Sequence, residues 1–345
     1  MGRWRRVRLV GGIAVSTVFL GVTLSRVDLP EVARSMASAS APLLIAVVII
    51  VLFDLALRAL RWQALVRGSK AAESPSPFLL TAGYLSVGYL ANSVLPARLG
   101  DVARAYLAGR AFAMPTLVAF GTIVVERLLD GTVMLALALA SSFLLASNSD
   151  IRTISVVSLI GTMAGAIVVA LAHRASRTQA GYTRLGLAVR RNVAKVYLGT
   201  RGLRDLRAGI TILGLTVLTT TTSVFIVAIA CRANGIALSP TQAVLTASGI
   251  ALSLAIPAAP GSWGTYEFAG VAILTGLGFD ANRALATVLL LRLVSTLPPA
   301  ALGLFSVVLL NLRPASVFRA AEASLAAPRT GRREELRTTT EVVGP

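Results

Sequence analysis

Hydrophobic residues in this chain collect in long continuous runs. Six runs come close to or exceed the roughly 20 apolar residues that a helix needs to cross a lipid bilayer. They occupy residues 9–25, 41–66, 115–146, 153–172, 209–230 and 281–312. Runs of this length predict membrane-spanning helices. The expected fold class is therefore an all-α polytopic membrane protein with six transmembrane helices.

Two further apolar segments, residues 78–112 and 240–278, are each interrupted by proline and glycine. The interruptions read Pro-Ala-Arg-Leu-Gly-Asp at 96–101 and Pro-Ala-Ala-Pro-Gly-Ser-Trp-Gly at 257–264. Proline lacks an amide hydrogen and glycine tolerates unusual backbone angles, so one helix should stop and another begin at each site. The arms are about 14 to 18 residues long, which is short for a full crossing and predicts two re-entrant hairpins.

The composition agrees with a membrane protein and argues against several types of active site. Of 345 residues, 55% are hydrophobic and 14% are charged, whereas soluble domains carry about a quarter charged residues. A single cysteine and a single histidine nearly exclude Cys/His zinc sites, Cys-His nucleophiles and Ser-His-Asp triads. There is no Walker A, HExxH or GxSxG motif. We therefore expect no cofactor, no metal and no enzymatic activity of this chain alone.

Positive charge predicts the orientation of the spans. Four arginines precede the first run, and nine basic residues face one acid, Asp205, within residues 173–207. The positive-inside rule places both segments and the C-terminus in the cytoplasm, with the first hairpin opening inward and the second outward. The basic loop also suits anionic lipid or nucleic acid, but a topology signal is the simpler interpretation and no nucleic-acid partner is expected.

The two ends of the chain allow further expectations. A signal peptide cleaved near residues 37–39 is the alternative for the first run, but that site lies too far beyond the apolar residues. Residues 313–345 lack helical apolar periodicity and are expected to form a disordered cytoplasmic tail. Residues 1–312 are then the transmembrane domain.

Charged residues occur where the spans and hairpins should be buried. They are Arg98, Arg104, Arg127 and Arg292 against Asp101, Glu126, Asp130 and Glu267. Glu126, Arg127 and Asp130 fall roughly 16 to 22 Å into the third run, near the middle of the hydrocarbon. Arg61 and Trp62, in contrast, are expected near the cytoplasmic interface.

Two interpretations of these charges stay open. In the first, the charges compensate one another and hold the broken helices in place. In the second, the arginines receive an anionic headgroup together with backbone amides exposed at Gly261 and Gly264, because guanidinium forks match phosphate and helix N-termini attract anions. Glu267 would then titrate during transport or pair with an arginine.

The two halves align weakly. Pro96 to Arg127 spans 31 positions and Pro260 to Arg292 spans 32, and each proline begins a Pro-x-x-x-Gly motif. Oppositely oriented repeats with broken helices are an architecture in which transporters bind substrate near the midplane of the bilayer. An inverted repeat is therefore expected.

Three motifs carry a resemblance to a known family. They are Asn92-x-x-x-Pro-x-Arg-x-Gly-Asp-x-x-Arg104, Glu126-Arg-x-x-Asp130 and Pro260-Gly-Ser-x-Gly-x-x-Glu267. With them the chain resembles, over residues 10–312, the flippase-like transmembrane region of lysylphosphatidylglycerol synthases and its standalone relatives. The resemblance implies movement of a lipid across the bilayer. The 33 residues after Leu312 are too few for the aminoacyl-transfer domain of those synthases, so synthesis of lysyl lipid is not expected.

These observations lead to one functional hypothesis and two alternatives. The chain would flip a phospholipid or polyprenyl phosphate with an anionic headgroup across a bacterial inner membrane. Arg98, Arg104 and Arg127 would contact phosphate, Asp101, Glu126 and Asp130 would orient them, and Glu267 with Arg292 would form a matching half-site. The alternatives are a glycosyltransferase, or its accessory subunit, acting on a lipid carrier, and a scaffold for a lipid-modifying enzyme.

Overall fold

A computed structural model describes residues 3–95, 99–145, 198–203, 205–255 and 259–313. This part of the chain contains ten α-helices, two short 3-10 turns and no strand. In chain order, the helices are α1 Arg3–Leu24, α2 Leu29–Ala37, α3 Ala41–Gly68, α4 Phe78–Val94, α5 Leu99–Ala111, α6 Thr116–Leu144, α7 Leu206–Ala233, α8 Pro240–Ser253, α9 Thr265–Gly276 and α10 Ala281–Leu309.

Most of the predicted elements are present. The runs at 9–25, 41–66, 115–146, 209–230 and 281–312 coincide with α1, α3, α6, α7 and α10. The two interrupted segments are the helix pairs α4–α5 and α8–α9, and in each pair the helices pack against each other. The predicted span at 153–172, most of the basic loop and the tail from residue 314 lie outside the described residues.

Three helices, α3, α7 and α10, are long and apolar enough to cross a membrane. Residues Ile13–Leu24 of α1 form a fourth candidate together with α2, although the two are bent by 83° at the break between them. The 29-residue α6 has the necessary length but carries Glu126, Arg127 and Asp130. With several such helices the chain is a multi-pass membrane protein.

The described residues divide into two compact units. The hairpin-1 unit comprises described residues within 55–127, 198–216 and 299–313, and it contains α4 and α5. Its core includes Trp62, Leu85, Phe112 and Ile123. The hairpin-2 unit comprises described residues within 3–54, 128–145 and 217–298, and it contains α8 and α9. The core of that unit includes Val47, Ile226, Leu274 and Leu285.

Helix lengths repeat along the chain. Helices α3 to α6 have 28, 17, 13 and 29 residues, and helices α7 to α10 have 28, 14, 12 and 29. Each set consists of a long helix, two short helices forming the hairpin, and a second long helix. We call α3–α6 the first repeat and α7–α10 the second repeat.

The expected role of Gly100 is corrected. Helix α5 begins at Leu99, so Gly100 and Asp101 belong to its first turn and not to the break. Gly100 is absent from the residues with positive φ, whereas Gly261 and Gly264 in the second hairpin have φ of 70° and 87°. A side chain at Gly100 would collide with the backbone oxygen of Gly88 on α4. Gly100 is thus required for close packing of α5 on α4.

Candidate functional site

The first hairpin is closed by a polar contact at the start of α5. The side-chain oxygen of Asn92 accepts a hydrogen bond from the Gly100 amide at 2.9 Å, and its amide nitrogen donates to Asp101 at 3.2 Å. Asn92 therefore satisfies one of the amides that a helix N-terminus leaves without an intrahelical partner, and it orients the first acid of α5.

Asp101 also forms an ion pair with α6. One guanidinium nitrogen of Arg127 lies 3.2 Å from Oδ1 and 3.4 Å from Oδ2 of the carboxylate. The Arg127 side chain is 31% exposed and that of Asp101 is 12% exposed. This is the accessible part of the charge cluster in the hairpin-1 unit.

A second, fully buried cluster lies one turn further along α5 and involves the residue next to Arg127 on α6. Glu126 of α6 is 3.2 Å from a guanidinium nitrogen of Arg104 and 3.6 Å from one of Arg61, and all three side chains are at most 1% exposed. The guanidinium of Arg104 stacks on the ring of Trp62 at 4.5 Å. The indole of Trp62 in turn donates a hydrogen bond to Thr122 at 3.1 Å.

Arg61 and Trp62 are buried inside the protein. Both were expected near the cytoplasmic interface, and neither has any exposed surface. Arg61 contacts Glu126 and donates a longer hydrogen bond to Thr216 of α7 at 3.4 Å. Arg61 lies seven residues before the end of α3 at Gly68, which is about 10 Å along the helix.

The charge pairs form two successive rungs between α5 and α6. Asp101 and Arg104 are three residues apart on one face of α5, and their partners Arg127 and Glu126 are neighbours on α6. We call Asp101–Arg127 the outer rung and Arg61–Glu126–Arg104 the inner rung. Together the five side chains hold three positive and two negative formal charges.

The second hairpin contains a different ion pair, between Glu267 of α9 and Arg292 of α10. Nε of Arg292 lies 2.6 Å from Glu267 Oε1, and the other carboxylate oxygen accepts from the Gly264 amide at 2.7 Å. Glu267 is fully buried, and Arg292 is 7% exposed. Glu267 therefore joins the start of its own helix to the following long helix.

Arg292 also holds the backbone of the break. Its two terminal nitrogens donate to the carbonyl oxygens of Gly261 at 3.0 Å and Ser262 at 3.1 Å. Its guanidinium stacks on Trp263 at 4.3 Å and on Tyr266 at 4.6 Å. All three guanidinium nitrogens of Arg292 thus contact acceptors within the hairpin-2 unit.

Helix α1 completes the environment of this break. The Ser16 hydroxyl accepts a hydrogen bond from the Ala259 amide at 2.8 Å. A side chain at Gly264 would collide with the backbone oxygen of Ser16. Ser16 was not among the sequence candidates, because a lone serine in an apolar run carries no recognisable signal.

The remaining candidates are placed as follows. Arg98 lies outside the described residues. Asp130 is half-buried on α6, one turn beyond Glu126. Glu126 pairs with arginines of α3 and α5, and Arg127 pairs with Asp101. Within the described ranges, no group of three His, Cys, Asp or Glu side chains is arranged to hold a metal ion.

Comparisons with known proteins agree with a role at the membrane. Residues 9–303 match the family model described as the lysylphosphatidylglycerol synthase TM region. Over 163 residues the chain is 28% identical to glycosyltransferase AglD of Haloferax volcanii. That stretch is 47% of this chain and 26% of AglD, so the match spans about a quarter of the relative's length. No solved structure matches the chain.

Proposed function

The chain belongs to the lysylphosphatidylglycerol synthase TM region family, and we propose that it flips a lipid with an anionic headgroup across a membrane. The lipid is a phospholipid or a polyprenyl phosphate. The observation that carries the proposal is the pair of rungs in the hairpin-1 unit, in which three arginines and two acids of α3, α5 and α6 meet and are largely buried. Charges buried in a membrane protein are costly and often mark substrate pathways.

The outer rung is the entry point of the headgroup in this proposal. Arg127 is partly exposed, and its planar guanidinium matches the geometry of a phosphate. Arg104, and Arg98 beside the break, are the further phosphate ligands. Asp101 and Glu126 orient Arg127 and Arg104 through the contacts described above, and Asp130 belongs to the same polar stretch of α6.

The second repeat has a different role in the proposed function. Arg292 contacts the carboxylate of Glu267 and two carbonyl groups, which supports a role in holding the break at Gly261–Gly264 in shape. We therefore assign Glu267 and Arg292 to the counterpart of the outer rung in the second repeat, where they fix the shape of the second hairpin.

The topology that we propose has six spans in residues 1–312, two re-entrant hairpins, an inverted repeat and both termini in the cytoplasm, in a bacterial inner membrane. The matching sequence of long, short, short and long helices supports a repeat. An inverted arrangement is the one that alternating-access transporters use.

A flipping assay tests the proposal. The full chain is reconstituted into phosphatidylcholine vesicles that contain fluorescent phosphatidylglycerol or a fluorescent polyprenyl phosphate, and dithionite bleaches the outer leaflet. We expect protein-containing vesicles to lose the inner-leaflet signal of at least one anionic probe faster than protein-free vesicles do. Arg127→Gln should slow the rate about tenfold to a hundredfold, since a charge-assisted hydrogen bond contributes roughly 1.5 to 3 kcal/mol.

Arg201→Gln is the matched control, because Arg201 is exposed on the 3-10 turn Gly199–Leu203. It should flip the probe at the wild-type rate. If neither anionic probe moves faster than in protein-free vesicles, the proposed function is wrong.

The match to AglD favours glycosyl transfer onto a lipid carrier as the second candidate. A glycosyltransferase normally needs carboxylates that hold a metal and a nucleotide, and the described residues contain no such group. Incubation of the purified chain with polyprenyl phosphate and radiolabelled nucleotide sugars would reveal this activity as labelled lipid. Co-purification of a lipid-modifying enzyme would instead favour an accessory or scaffolding role.

A further inference from the structure

The outer rung has a counterpart in the second repeat. Asp101 and Glu267 are each the third residue of the second hairpin helix. Arg127 follows the first residue of α6 by 11 positions, and Arg292 follows the first residue of α10 by 11 positions. An acid in the first turn of the short helix and an arginine at a fixed depth in the next long helix are therefore common to both repeats.

The inner rung has no charged counterpart. The same alignment places Gly270 at the position of Arg104 and Leu291 at the position of Glu126. Helices α3 and α7 both have 28 residues, which places Ile226 at the position of Arg61. Residues 224–228 are all apolar, so a shift of two residues in this last pairing changes nothing.

The counterpart positions form an ordinary apolar core. Ile226 and Leu291 are buried members of the same hydrophobic cluster in the hairpin-2 unit. Gly270 is buried, and a side chain there would collide with Val288. The second repeat thus has apolar residues at these positions. The first repeat has two arginines and a glutamate there, each at most 1% exposed.

This difference between the repeats shows whether the helix arrangement requires charged residues at these positions. Buried ion clusters are often no more stabilising than apolar side chains of similar volume. The second repeat carries apolar residues at these positions, so the helix arrangement itself does not need the charges. The inner rung therefore calls for a role other than holding this helix arrangement.

The inner rung has the character of an anion site. Arg104 is 1% exposed, and no described residue accepts a hydrogen bond from its Nε. Arg104 and Arg61 both contact the one carboxylate of Glu126. The stacked ring of Trp62 leaves the edge of the Arg104 guanidinium for hydrogen bonding, and that edge is the part that recognises an oxyanion.

We propose that Arg61, Glu126 and Arg104 form an oxyanion site confined to the first repeat, in which the phosphate of the transported lipid replaces Glu126 as the partner of Arg104. This inference rests on the proposed function for the identity of the ligand. Arg61 retains Glu126 when Arg104 turns to the phosphate, so the carboxylate is never left buried without a cation. The headgroup passes from Arg127 on the outer rung to Arg104, which lies one turn along α5 from Asp101.

Thermal unfolding of the full chain in detergent tests the site through binding, independently of flipping. Unfolding is followed by far-UV circular dichroism with added phosphatidylglycerol or with diacylglycerol, which has no phosphate. We expect phosphatidylglycerol to raise the Tm of the wild-type chain by several degrees more than diacylglycerol does. The variant Arg61→Ile/Arg104→Met/Glu126→Leu should keep or exceed the wild-type Tm without lipid, and it should lose the difference between the two lipids.

Two further variants make the result decisive. Arg34→Gln changes the net charge by the same amount at an exposed position of α2 and should keep the full difference. Arg104→Lys keeps the charge beside Glu126 but loses the planar fork, and it should reduce the difference by at least half. The proposal is overturned if the triple variant keeps the lipid difference, or if it unfolds far below the wild-type chain.

The flipping assay separates this proposal from the proposed function. A wild-type chain that shows the lipid-dependent Tm but does not flip would leave the oxyanion site in place and end the flippase assignment. A triple variant that flips the anionic probe at the wild-type rate would end the oxyanion site and leave the flippase assignment intact.

Discussion

At the scale of single residues, each buried acid of the two hairpins acts by joining elements that are distant in the sequence. Glu126 pairs with Arg61, 65 positions earlier, and with Arg104 on another helix. Tertiary packing supplies its guanidinium partners from α3 and α5, and a buried carboxylate requires such partners.

Glu267 is predicted to be a residue on which stability depends. Glu267→Ala removes the carboxylate that pairs with Arg292 and accepts from the Gly264 amide. Removing one partner of a buried ion pair costs about 3 to 5 kcal/mol, so the variant should unfold at a markedly lower temperature. Cys231 is buried, so a thiol-reactive dye will report this unfolding.

Glu73→Ala is the control for this prediction, since Glu73 is an exposed acid between α3 and α4. It should stay within about 0.5 kcal/mol of the wild-type chain. A role of Glu267 in transport alone would leave the folded protein intact when the carboxylate is neutralised. The geometry predicts instead that folding is lost first, and an unchanged dye-labelling temperature for Glu267→Ala would contradict this.

At the scale of elements, the close approach of α5 to α4 holds the first hairpin together. Gly88 and Gly100 face each other, and Asn92 bridges the contact through the Gly100 amide. The close backbone contact between α4 and α5, together with this hydrogen bond, positions Asp101 and Arg104 for their ion pairs with α6.

Gly100→Ala should therefore destabilise the chain by about 1 to 3 kcal/mol, as overpacking does in a close-packed interior. It should also weaken the contact between Asn92 and Asp101. Gly214→Ala is the matched control, because a side chain there meets nothing within 4 Å in the middle of α7. Thermal unfolding by circular dichroism should separate the two variants, and equal Tm values would show that the hairpin tolerates a wider helix spacing.

At the scale of the whole molecule, the predicted orientation of the spans can be tested with the native cysteine removed. A single cysteine replaces either of two exposed residues, Lys70 after α3 or Ala237 after α7. Intact cells with either variant are then treated with a membrane-impermeant maleimide. Basic residues near Lys70 predict that it is cytoplasmic, so it should react only after permeabilisation, whereas the cysteine at 237 should react at once. Labelling of both positions from one side would exclude the six-span, inverted topology.

The sequence by itself determined the class of this protein, because long apolar runs and proline-glycine breaks act locally and are read directly from residue order. It therefore predicted five of the long helices and both pairs of short helices. Only the tertiary structure decided which charges meet, that Arg61 is fully buried and why Gly100 is glycine. These depend on contacts between residues that are far apart in the chain, and local patterns carry no information about such distances. The comparison of two repeats, one charged and one apolar at the same positions, likewise required the helices to be in place.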